Sequence, residues 1–156
     1  MNSHEIRDYL KTSLLKDLKD SDLDFLASHS TEGAFKSGEM IFHEGEEAKN
    51  LFLIKKGKVA LETFGSHETL TIQTLKEHEV LGWSWLFPPF YWNFDARAVT
   101  DVEALVFDGE KIRERCEQDH SFGYLLMNRL ALVIIQRLHA TRLQMLDVYG
   151  NRSLRP

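Results

Sequence analysis

Hydrophobic positions recur every three or four residues at the start of the chain, then shift to short alternating runs, then return to the longer period. Over residues 3–28, Ile6, Leu10, Leu14, Leu15 and Leu18 keep helical spacing. Ser21, with Asp24 three residues on, predicts the N-cap of a second short helix carrying Leu23, Phe25 and Leu26. From Thr31 the pattern tightens. Apolar or alternating runs at 40–42, 51–54, 59–64 and 70–75 are punctuated by Gly33, Gly38, Gly45, Gly57, Gly65 and Gly82. Short strands with regular turn signals predict a sandwich or barrel. Lys56-Gly57 reads as a tight hairpin, its lysines as a solvated turn. One more strand is predicted over 97–107 and a short helix over 109–118. Asp119 or Ser121 then caps a long helix to about Tyr149, with Gly150 as its C′ residue.

That final helix carries two apolar stripes. Phe122, Leu126, Leu130 and Val133 form one; Leu125, Met127, Leu132, Ile135 and Leu138 form the other. Between Leu130 and Ile135 it is apolar all round, so it must be covered on more than one side. One side fits the β domain. The other calls for a partner, and the same helix of a second copy, through residues 122–149, is the expected one. The organisation expected is one structural domain in three parts: helices at 1–30, a β region at 31–108, and a short and a long helix at 109–150.

Composition narrows the class. The 156 residues carry a formal net charge of −5, with 28% charged and 43% hydrophobic side chains. That is ordinary for a globular domain and weak evidence against a general nucleic-acid binder. A single cysteine, Cys116, precludes an internal disulfide and fits a reducing compartment. No apolar run reaches the ~20 residues of a membrane span, and no signal-type segment opens the chain, so a cytoplasmic protein is expected. Seven scattered histidines form no H-x-H or H-E-x-x-H pattern, and no nucleophile–base grouping appears, so no catalytic or metal site is assigned.

The densest chemistry lies at 82–97. All three tryptophans, Trp83, Trp85 and Trp92, fall there with Phe87, Phe90, Tyr91 and Phe94, around Pro88-Pro89. Such density in a strand connection is either a buried plug or an aromatic-walled pocket.

The order of elements, and two motifs within it, resemble the cyclic-nucleotide-binding domain of the Crp/Fnr regulators. Phe35-Lys36-Ser37-Gly38-Glu39-Met40-Ile41-Phe42-His43-Glu44-Gly45 is similar to that family's F-x-x-G-x-x-I-x-x-x-G opening, and residues 51–59 to its next strand pattern. Glu79-Val80-Leu81-Gly82 looks like the approach to the phosphate-binding cassette, and Arg137-Leu138-His139-Ala140-Thr141 like the dimer helix near the ligand. The resemblance implies a mainly β protein with flanking helices: a double-stranded β-helix jelly roll, N-terminal helices and a long C-terminal dimerisation helix. It also implies a regulatory, non-enzymatic role with a small-molecule ligand. The six residues after Gly150 leave no room for a recognition helix, so direct DNA binding by this chain is not expected.

The resemblance breaks at the ligand anchors. In the family, a Glu after the glycine takes the ribose and a later Arg grips the phosphate. Trp83 stands at the Glu position, and the Arg position falls at Trp92 or Asn93. Arg97 either anchors a ligand or pairs with Asp95 or a backbone carbonyl. Thr141 either contacts a ligand base or is simply tolerated. The candidate ligand-binding set is Leu81, Gly82, Trp83, Ser84, Trp85, Trp92, Asn93, Arg97, Ala98 and Thr141. With both charged anchors absent, cAMP and cGMP should bind poorly. A planar, less charged or amphipathic ligand suits the tryptophans better, and a ligand-free, aromatic-plugged dimerisation domain is the alternative.

Overall fold

The computed structural model describes the backbone of residues 1–153 and the side chains of residues 1–148. Helix α1, Ser3–Leu10, starts where Asn2 Oδ1 accepts the Glu5 N–H and Glu5 Oε1 accepts from Asn2 Nδ2, a reciprocal cap. The predicted helical stretch breaks after Leu10 into turns, yet Leu15 and Leu18 still reach the core. Helix α2, Asp20–Ser28, begins one residue after Lys19, so Ser21 lies inside it rather than capping it. Its Asp22 is buried and takes the Arg115 guanidinium at 2.7 Å, which fastens the N-terminal helices to the C-terminal ones.

Eight strands follow: β1 Ser30–Phe35, β2 Met40–Phe42, β3 Asn50–Lys56, β4 Val59–Phe64, β5 Thr69–Leu75, β6 Val80–Leu81, β7 Asp95–Ala98 and β8 Val102–Asp108. They form two four-stranded antiparallel sheets, in the orders β1-β8-β3-β6 and β2-β7-β4-β5. Apolar side chains of both sheets meet between them, among them Phe42, Phe52, Leu53, Leu61 and Leu105.

Two local expectations need correction. Lys56-Gly57 does not close a hairpin, because β3 and β4 belong to different sheets; it is a corner between them. Gly57 is nonetheless required there. Its φ is +92°, and a Cβ would stand 2.2 Å from the Asp101 carbonyl oxygen. The predicted strand over 97–107 is two strands, parted by the turn at 99–101 that packs on this corner.

Helix α3, Gly109–Gln118, is capped by the Asp108 carboxylate, and α4, His120–Ser153, by that of Asp119, which accepts the Ser121 and Phe122 N–H groups. The helix runs through Gly150 instead of ending there. Of the tail in which no recognition helix was expected to fit, residues 154–156 lie outside the described residues. The stripe Phe122, Leu126, Leu130 and Val133 is buried on the rest of the domain, and α4 continues along β5. The opposite face is open: Ile135 is 61% and Leu138 69% exposed, with Leu132, Leu143, Met145 and Leu146 beside them. No helix among the described residues is long and apolar enough to cross a membrane.

Candidate functional site

Strand β6 is only two residues long. Val80 and Leu81 pair with Leu53 and Phe52 of β3, and Gly82 then turns the chain out of the sheet at φ +92°. A single 3-10 turn, Ser84–Leu86, follows. The loop returns at Trp92, whose N–H donates to the Glu46 carbonyl and whose carbonyl accepts the Gly45 N–H, both at 2.9 Å.

The Trp92 ring therefore points inward. It stacks on Phe42 with centroids 3.8 Å apart and planes within 8°, and tilts against Phe52 at 6.4 Å. Only 6% of the residue is exposed. A Cβ on Gly82 would meet this ring at 2.8 Å, so the glycine serves both the turn and the space that Trp92 fills.

Around Trp92 remains a void of about 20 Å³, lined by Leu61, Leu81, Gly82, Trp83, Ser84, Asn93 and Arg137 among others. That is room for roughly one water molecule, whereas small-molecule sites span ~300–1,000 Å³. Ser84 is buried and accepts a hydrogen bond from Asn93 Nδ2 at 3.0 Å. Arg137 reaches the void from α4. It is 3% exposed, and its Nη1 donates to the neutral Gln73 Oε1 at 2.8 Å. Burial lowers its pKa to about 10, the Glu79 carboxylate partly opposing the shift; it stays charged at neutral pH.

Residues 32–119 match the family model of the cyclic nucleotide-binding domain. The chain belongs to that family. It is 30% identical over 115 residues to the anaerobic regulatory protein of Bacillus subtilis, covering 71% of this chain and 48% of that protein. The chain thus spans about half the length of this curated relative. Among solved structures, a protein of Geobacter metallireducens described as cyclic nucleotide-binding is 30% identical, with a TM-score of 0.76 over 89% of this chain and 99% of that one. The sensor domain of the transcriptional regulator DNR of Pseudomonas aeruginosa, at 18% identity, shares the fold with a TM-score of 0.72 over 88% and 93% of the two chains. The family is regulatory, and the jelly roll with a long C-terminal helix is its fold.

The loop after Gly82 is the stretch that the sequence likened to the cassette. Leu81, Gly82, Trp83, Ser84, Trp92 and Asn93 are brought together around the void. The other four candidates lie outside its lining. Trp85 is fully buried, its Nε1 donating to the Gly82 carbonyl at 3.0 Å and its Cβ packed close to Gly109 at the start of α3. Arg113 of α3 donates to the Trp85 carbonyl at 2.6 Å, so α3 holds the loop in place. Ala98 is a buried strand residue. The Thr141 hydroxyl donates to the Arg137 carbonyl of its own helix at 2.8 Å.

Arg97 pairs neither with Asp95 nor with a carbonyl. Its Nε and Nη2 donate to the two carboxylate oxygens of Glu62 at 2.8 and 3.1 Å, across the β4–β7 pair. This bidentate bond raises the Arg97 pKa. Asp95 instead accepts the Glu44 N–H at 2.8 Å.

Two residues were missed from sequence. Glu62 sits among apolar neighbours in its strand, a signal that a charged partner must exist. Arg137 interrupts the buried stripe of α4 four residues after Val133, at a core position, and that break was the available cue.

Proposed function

We propose that this chain is a regulatory domain of the Crp/Fnr kind whose cassette no longer takes cyclic nucleotide, and which works as a homodimer through α4. Its segments 1–30, 31–108 and 109–150 act as one structural unit, without enzymatic activity and in the cytoplasm. The observation that carries this is the Trp92 ring stacked on Phe42 in the space beside Gly82, leaving about 20 Å³. A nucleoside cyclic phosphate cannot enter until that ring leaves. Neither of the family's charged anchors is present to draw it out, since Trp83 stands at one place and Trp92 or Asn93 at the other.

The parts that transmit a signal remain. Arg137 and Gln73 join α4 to β5 beside the void, and Gln144 Nε2 donates to the Thr71 carbonyl one turn pair further on. A change in cassette packing would thus be felt by α4, and α4 presents its apolar face outward for a second copy. A ligand-free dimerisation domain is the simpler form of this reading. A ligand-sensing form is favoured by Arg137, a buried cation with only a neutral hydrogen-bond partner, which suits a small anion in the void.

Sedimentation velocity tests the dimer. The wild type is expected to sediment as a dimer, and the Ile135→Glu/Leu138→Glu chain as a folded monomer, because both positions are exposed within one chain. A wild-type chain that stays monomeric across a wide concentration range sinks the proposal.

A further inference from the structure

A roomy groove lies on the other side of the cassette loop. Its volume is about 790 Å³, within the ~300–1,000 Å³ range of small-molecule sites. Leu86, Pro88 and Phe90 of the loop line it, as do Gly123, Tyr124 and Met127 of α4. The rest of the lining is mainly one face of α3, with His120 at the start of α4.

That α3 face sets the charge. Arg113 is already engaged, with Nη1 on the Trp85 carbonyl and its guanidinium 4.2 Å from the Phe90 ring centre. Glu110, Glu114 and Glu117 remain, at spacings of four and three that share one helix face. Of these, only Glu114 has an ion-pair partner among the described residues, the exposed Lys111 at 3.5 Å. Cys116 lies beside them, and burial, followed by the Glu117 carboxylate, pushes its thiol up to about 11. It offers the cavity a neutral, apolar surface.

We propose that this groove binds an amphipathic organic cation, with an apolar, ring-sized body against Leu86, Pro88 and Met127 and an amine or quaternary nitrogen toward the α3 carboxylates. An apolar hollow edged by the carboxylates of Glu110 and Glu117, with Glu114 shared with Lys111, selects the opposite charge and repels anions of the same shape. The site uses no atom of the cassette void, but it shares Met127 with the α4 stripe expected to meet a second copy. It also shares the loop: Trp83 and Ser84 face the void, and Leu86, Pro88 and Phe90 face the groove. An occupant would therefore press on the segment that packs the cassette, and on α4.

Proflavine, a planar aromatic cation, is titrated into the full chain by fluorescence anisotropy, with 8-anilinonaphthalene-1-sulfonate as the anionic counterpart. Saturable binding of one proflavine per chain is expected. The Glu110→Gln/Glu114→Gln/Glu117→Gln chain should bind it about tenfold or more weakly, and the sulfonate more tightly. Met127→Arg, at a half-exposed position, should weaken proflavine by a similar factor. Non-saturable binding, affinity unchanged in both variants, or tighter binding of the sulfonate to the wild type would each overturn the assignment. So would loss of the proflavine site as the chain self-associates, since the groove would then be covered by a second copy.

Discussion

Replacing Trp92 with alanine asks whether the cassette is filled or merely walled. The ring is 6% exposed, lies 3.8 Å from Phe42 nearly parallel to it, and abuts the bare Cα of Gly82. A tryptophan buries roughly 150–250 Å² of surface, worth about 4–6 kcal/mol at 25 cal/mol per Å². Measured losses for truncating buried aromatics run about 3–5 kcal/mol. The loop around position 92 has room to settle after truncation, which favours the lower end, about 3–4 kcal/mol. For a domain of this length that lowers Tm by roughly 10 °C. Urea unfolding followed by far-UV circular dichroism gives the number without relying on tryptophan emission. Trp92→Phe, which keeps a ring against Phe42, should lose only about 1 kcal/mol. A loss below about 1 kcal/mol for the alanine variant would refute the reasoning, because a ring that contributes so little is a loose pocket wall.

Other outcomes follow from the same geometry. Arg137→Met should stabilise the fold by about 1–2 kcal/mol in urea unfolding. Burial lowers its pKa from the ordinary arginine range to about 10, which implies that the buried charge costs on the order of 3 kcal/mol, and losing the Gln73 bond returns about 1. That cost is present at all pH values below about 10 and is relieved above it; a destabilised variant would show that Arg137 is better satisfied than its bonds suggest. Gly57→Ala should lose about 2 kcal/mol or more, read as a fall in Tm, since φ is +92° and the new methyl would meet the Asp101 carbonyl. Glu32 has its pKa lowered to about 2, chiefly by the Lys55 hydrogen bond and then by the N-terminal ammonium. Its small contribution is present above the ordinary glutamate range and lost as pH falls through about 2; a wild-type minus Glu32→Gln difference that does not shrink in acid would contradict this.

Much of the fold was legible because its signals are local. The runs at 40–42, 51–54, 59–64 and 70–75 lie on β2 to β5, and the sequence bounds of α3 coincide with the observed helix. Gly57 also announced a turn correctly, but a glycine cannot say which sheet the next strand joins, and the hairpin proved to be a corner. The site was less legible because its decisive partners are distant in the chain. Arg97 had Asp95 two residues away and chose Glu62, 35 positions off, because antiparallel pairing of β4 with β7 sets Arg97 opposite Ala60 and so diagonal to Glu62 on the same face. The sequence left the aromatic loop as plug or wall because it does not display the backbone bonds to Gly45 and Glu46 that aim Trp92 inward and put its ring on Phe42. Position 137 was read with the dimer helix, yet its side chain turns inward, as the helical repeat from Phe122 through Val133 requires.

The central claim is that this cassette is closed by its own tryptophan and does not take the family's ligand. Isothermal titration of the wild-type chain with cAMP and cGMP tests it most directly. The expected result is no saturable heat with ligand up to about 1 mM, an affinity weaker than ~4 kcal/mol of binding free energy. A saturable isotherm with one nucleotide per chain and a dissociation constant of about 10 µM or tighter would contradict it.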